Sequence, residues 1–178
     1  AMKARSLGMD RSMVAAYGQD DRVCAYPALT ALFGLTQVPP KTAVCILTDK
    51  EEIGSVGNTG MESRNFELFL LDLLEKSGIV HPYALQRMLS ASQALSADVT
   101  AAYDPTYPEV MEKHNAAFMG RGISIKKYTG ARGKSGASDA NAEFVAYVRN
   151  IFEKAGAAYQ SSELGKVDEG GGGTIAYI

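Results

Sequence analysis

The sequence predicts an α/β fold, a three-layer α/β/α sandwich around a mixed, mostly parallel sheet. Two observations carry that expectation. Short apolar runs alternate with stretches whose apolar residues recur at helical spacing. The run Ala43, Val44, Cys45, Ile46, Leu47 is continuously apolar, as a strand covered on both faces is.

In chain order, residues 13–17 form a short apolar run and read as a strand. Asp20 and Asp21 then open a helix-like segment over 22–35, where acidic residues complement the helix dipole. Pro27 fits that helix only in its first turn or at a kink. Val38, Pro39 and Pro40 make a loop, and residues 41–48 read as a central strand. Residues 62–76 read as an amphipathic helix with Phe66, Phe69, Leu70, Leu73 and Leu74 on one side, stopped at Gly78. A second helix, 82–95, starts at Pro82. Strands are expected at 96–103 and 122–128, and a glycine-rich polar loop at 129–138. A helix over 139–154 stops before Gly156, a short strand covers 157–162, and glycines 170–173 lead into a last strand, 174–178. A chain that ends inside an apolar strand reads as a piece of a domain cut at its ends.

Composition narrows the function classes. The 178 residues are 46% hydrophobic and 21% charged, an ordinary globular balance. A formal net charge of −2 supplies no global basic field for nucleic acid. No apolar run approaches the roughly 20 residues a membrane helix needs, and no apolar signal core follows the first residues. Cys24 and Cys45 each sit in an apolar segment, so free thiols in a reducing cytoplasm are expected.

The chemistry-bearing residues gather at element ends. Thr48 to Gly60 reads TDKEEIGSVGNTG: Glu51 and Glu52 follow the predicted central strand beside a glycine-rich turn. In open α/β sheets the carboxyl ends of strands are where ligands bind. Adjacent residues there point different ways, so one carboxylate can hold a metal while its neighbour handles a proton. The plain alternative is a solvated strand end. Asp98, in Ser96-Ala97-Asp98-Val99, lies within an otherwise apolar strand, where a buried carboxylate must be paired, protonated or metal-bound. Its alternative is the wet face of an edge strand.

Four motifs in order, GQDDR at 18–22, DKEEIGS at 49–55, LSADV at 95–99 and Asp168 through glycines 170–173 to Thr174-Ile175, resemble the aspartyl aminopeptidase family of dinuclear zinc exopeptidases. The resemblance runs from about Ser6 to Ile178. It implies that Asp20 bridges two zinc ions, that Glu52 is a terminal ligand of one and Asp98 of the other, and that Glu51 is the general base. It implies that Lys126, with Lys127 beside it as the rival choice, contacts the substrate or its oxyanion. Gly173 and Thr174 would line the substrate pocket. The implied substrates are peptides, from which such enzymes remove N-terminal, typically acidic, residues, and the implied parent is a cytoplasmic homo-oligomer.

The chain departs from the family pattern in its histidines. The family needs two imidazole ligands, and neither His81 nor His114 falls in a matching motif. Residues 1–178 therefore read as a partial catalytic domain, with the dimerisation domain and both histidine-bearing flanks outside it. Two oxygen donors per ion make a poor zinc site, so the piece alone is expected to be inactive or nearly so. Another class stays open: a non-catalytic peptide-binding or assembly domain on the same scaffold. The glutamyl-aminopeptidase-like family shares the Glu-Glu pair, but the Ser-Ala-Asp-Val and glycine-rich segments favour the first resemblance. A phosphate loop at 130–135 fails, because its first glycine would have to replace Tyr128. The basic stretch 121–134 has too few aromatics to stack bases.

Overall fold

The computed structural model describes residues 3–131 and 135–165. The chain forms two compact units, Ala1–Val99 and Thr100–Ile178. Gly173, Thr174 and the predicted strand 174–178 lie outside the described residues.

The first unit opens with a hairpin. Strand β1 (Arg5–Leu7) pairs antiparallel with β2 (Met13–Ala15), with Ser6 opposite Val14. Sequence periodicity finds β2 and misses β1, which is only three residues long. Helix α1 (Gln19–Phe33) follows; Asp20 and Asp21 at its start have non-helical backbone angles, so the regular helix begins at Arg22. Pro27 then sits inside the helix rather than in its first turn.

Residues 41–48, expected as a central strand, join no strand ladder among the described residues. Val44 and Leu47 are 47% and 56% exposed. The same holds for the strand expected at 96–103, which contributes one parallel bridge, Ala102 to Ala117. An apolar run reports a tendency to be covered, while a ladder also needs neighbouring strands to accept its backbone groups.

Helix α2 (Asn65–Lys76) packs on α3 (Ala84–Ser90), which is shorter than the expected 82–95. Leu70 and Leu74, one turn apart, are the buried residues of α2. Burying each contributes about 1.5–3 kcal/mol.

In the second unit, β3 (Ile123–Ile125) runs parallel to β6 (Tyr159–Ser161). Helix α4 (Ala142–Ala155) connects them, capped by Asn141, whose side-chain oxygen accepts the Phe144 N–H at 2.7 Å. It stops at Gly156, whose φ of 64° gives the left-handed turn a helix end favours. The segment expected as a loop at 129–138 is instead a hairpin, β4 (Tyr128–Ala131) against β5 (Ser135–Asp139). Its Gly- and Ser-rich sequence hides the strands because cross-strand backbone pairing, not side-chain propensity, holds them.

The core is thin. Leu70, Leu74, Ala116, Ala117 and Val148 are the buried hydrophobic residues among those described, and no large side chain is below 2% exposure. Among the described residues no helix is long and apolar enough to cross a membrane.

Candidate metal centre

The first unit gathers carboxylates from three separate segments. Side-chain oxygens of Asp20, Asp21 and Asp98 all lie within 4.8 Å of one another. Asp20 and Asp21 come from the irregular start of α1, where the peptide bond between them is cis. Gln19 ties that start to β2 by donating from Nε2 to the Val14 carbonyl at 2.6 Å. Asp98 comes from the stretch expected as a strand, which joins no ladder among the described residues. It is exposed, and its own segment steadies it: the Val99 N–H donates to Oδ1 at 2.7 Å.

Glu51 and Glu52 arrive on a single-turn 3₁₀ helix, Glu51–Ile53. The loop around that turn is tied at several points. The Asp49 N–H donates to the Thr59 carbonyl at 3.2 Å, and the Thr59 hydroxyl returns to Asp49 Oδ2 at 3.3 Å. The Ser55 N–H donates to the Lys50 carbonyl at 2.7 Å, and the Ser55 carbonyl accepts the Glu62 N–H at 3.1 Å. The Asn65 amide closes the far side onto the Asn58 carbonyl.

Charge crowding marks the centre. Burial, then repulsion from Asp98, Glu52, Asp20 and Asp21, pushes the Glu51 carboxyl above the ordinary glutamate range. Burial also pushes Asp98 up, with Asp21, Asp20 and Glu52 adding to it and the Val99 N–H opposing. Two residues before Glu51, Asp49 moves the other way. The Lys50 backbone N–H, then the Lys50 side chain 3.2 Å away, hold its carboxyl below the usual range. One short loop thus carries an anchored anion and, beside it, a carboxylate that resists ionising.

Cys24, one turn further along α1, borders the cluster. Burial first, then a hydrogen bond from its thiol to Asp21 and the nearby carboxylates, push it up to about 12. It therefore stays a thiol at neutral pH. Sequence reasoning gave a metal role to Asp20 alone, reading Asp21 as part of the acidic helix start and Cys24 as a free thiol. The available signal was the adjacent Asp pair with a cysteine three residues beyond it.

These residues fit a divalent cation. A set of mutually repelling carboxylates is stabilised by a positive charge placed among them, and hard oxygen donors suit such an ion. For zinc the set supplies oxygen without nitrogen. The described residues put no histidine in it: the His81 Nδ1 accepts the Tyr83 N–H at 3.1 Å, and His114 belongs to the second unit. Lys126 also lies in the second unit, half-buried, just past β3.

Comparison with known proteins decides the family. The model of aminopeptidase I zinc metalloproteases (M18) matches residues 1–178. The chain belongs to the M18 family. It is similar to a probable M18 family aminopeptidase 1 of Clostridium acetobutylicum, 53% identical over 178 residues that make up 100% of this chain and 38% of that protein. Among solved structures, the aminopeptidase I from Clostridium acetobutylicum superposes with a TM-score of 0.86 at 52% identity, over 99% of this chain and 37% of that one. The M18 aminopeptidase from Thermotoga maritima gives 0.86 at 46% identity, over 98% and 39%. The α/β peptidase fold expected from the sequence is therefore the fold of this chain, with short sheets. The chain spans less than two-fifths of the length of these relatives.

Proposed function

We propose that this chain carries the carboxylate half of the active centre of a two-metal aminopeptidase that removes N-terminal, acidic residues from peptides. The observation that supports this most directly is the convergence of Asp20, Asp21 and Asp98, with Glu51 repelled by the same group, in a chain of this family.

In this reading two zinc ions would be held by Asp20, shared between them, with Glu52 on one side and Asp98 on the other. When bound, divalent ions supply Lewis acidity, which acidifies water and polarises the scissile carbonyl. The protein's own groups do the rest. Glu51, with its proton affinity already raised, takes the proton from the attacking water and delivers it to the leaving amine. Val99 N–H holds Asp98 in place for its ion. The family resemblance assigns Lys126 a contact to the substrate or its developing oxyanion, and Gly173 and Thr174, outside the described residues, a part in substrate binding. We place the protein in the cytoplasm, in keeping with its two free cysteines, as part of a homo-oligomer.

The carboxylates of this cluster alone offer zinc only oxygen donors, so the 178 residues bind it weakly and turn over little or nothing. Adding zinc and scanning aminoacyl substrates tests this: no turnover is expected, and robust turnover refutes the need for imidazole ligands. A zinc titration of wild type, Glu52→Ala and Asp98→Ala tests the ligand set. Each variant should weaken binding about 10-fold or more, and three superimposable curves favour a peptide-binding scaffold instead.

A further inference from the structure

The loop that carries Glu51 and Glu52 is tied at several points, and at one of them the backbone passes hard against Gly60. Gly60 and Ser55 are both buried, Ser55 at 4% exposure. A Cβ built on Gly60 would stand 2.5 Å from the Val56 carbonyl oxygen and closer still to the Ser55 carbonyl. Real Cβ atoms essentially never come within 3.0 Å of such neighbours. The obstacle is backbone, so no side-chain rotation relieves it.

Ser55 is also the hinge of the carboxylate turn. Its φ of 59° lies in the left-handed region, which a non-glycine residue holds only when its surroundings fix it. What fixes it is the N–H bond to the Lys50 carbonyl on one side and the carbonyl bond from Glu62 on the other. Lys50 immediately precedes the Glu51–Ile53 turn and is itself left-handed, at φ 67°. Displacing the Ser55 carbonyl therefore pulls on Lys50, and through it on both glutamates.

We propose that Gly60 is a positioning residue for Glu51 and Glu52: its lack of a side chain lets residues 59–62 close onto Ser55, and that closure aims the pair at Asp20 and Asp98. This rests on the reading of Glu52 as a metal ligand, and the experiment separates the two. Zinc chloride is titrated calorimetrically into the 178-residue chain as wild type, Gly60→Ala, Glu52→Ala and the double variant, with helical circular dichroism followed in each. Gly60→Ala should weaken zinc binding about 10-fold or more while helix content holds, as outer-shell changes do. In the Glu52→Ala background the same change should cost nothing further, because the side chain it positions is gone. A Gly60→Ala effect that is absent, or that adds fully to Glu52→Ala, overturns the inference while leaving Glu52 a ligand. Unchanged binding in Glu52→Ala removes the reading and the inference together. If Gly60→Ala loses its helical signal, amide exchange on the wild-type chain decides. Zinc should slow exchange at the Ser55 and Glu62 amides about 10-fold or more, and not in Glu52→Ala. Zinc-independent exchange at those amides overturns the proposal.

Discussion

Residues 41–47 and residues 48–62 adjoin in sequence and solve the backbone's hydrogen-bonding demand in opposite ways. The first stretch is mostly apolar and was expected, with Thr48, to be a central strand, yet it joins no ladder among the described residues. The second is polar, glycine-rich and irregular, yet its backbone is tied through Asp49–Thr59, Lys50–Ser55 and Ser55–Glu62. Local closure needs only the residues within the loop. A strand interior needs neighbours from elsewhere. Glu51 and Glu52, two of the carboxylates of the proposed centre, ride on the stretch that completes itself.

Packing should expose the contrast most strongly. Leu74→Ala, at a position 8% exposed, should cost about 2–5 kcal/mol of stability. Leu47→Ala, at 56% exposure, should cost under about 0.5 kcal/mol. Denaturant melts of both variants check this, and equal losses would erase the distinction.

Metal comes next. Zinc at about 100 times its dissociation constant should stabilise the chain by about 2.7 kcal/mol, and Asp20→Asn should remove most of that. Scanning calorimetry with and without zinc reads it, and an undiminished shift in Asp20→Asn would argue against the acidic cluster as the site.

A smaller effect is expected from Thr59→Val, which removes the hydroxyl that bonds to Asp49. It should cost about 0.5–1.5 kcal/mol in a denaturant melt. No change there would mean that the backbone bonds alone hold the loop.

The smallest effect concerns pH. Asp98 and Glu51 both have carboxyls raised in the fold, so the folded chain holds protons that the unfolded chain has released. Without metal, stability should therefore be greatest below the ordinary range, 3.8 for Asp98 and 4.5 for Glu51, as far as these two groups decide it. It should fall as pH rises through their raised values. Asp98→Asn should flatten that fall. Both groups are exposed and solvent-screened, so the change is a small slope in a melting-temperature series. An unaltered slope in Asp98→Asn would show that the repulsion is fully screened.

Much of the helical part was legible in the sequence. The spacing of Leu70 and Leu74 marks α2, and Gly156 marks the end of α4. Starts were less legible. Helix α4 begins three residues later than expected because strand β5 runs through Asp139 and Asn141 supplies the cap. Helix α2 begins at Asn65 because a turn, Ser63 N–H to the Gly60 carbonyl, occupies the residues before it. Strand pairing was poorly legible, since apolar runs at 41–48 and 96–103 encode coverage rather than partners. For the site, residue types and order pointed to Asp20, Glu51, Glu52 and Asp98. That Asp20 and Asp98 share one cluster is a property of the fold alone. Asp21 was read only as part of the acidic helix start; that it turns into the cluster beside Asp20 depends on the irregular backbone there.

The bare stretch 41–47 also bears on handling the protein. Five consecutive apolar residues without a charge, half-exposed and with no strand alongside among the described residues, are a template on which a second chain can add a strand. A lysine introduced at Val44 would act as a gatekeeper, slowing fibril growth and precipitation in concentrated stocks while leaving the carboxylate loop untouched.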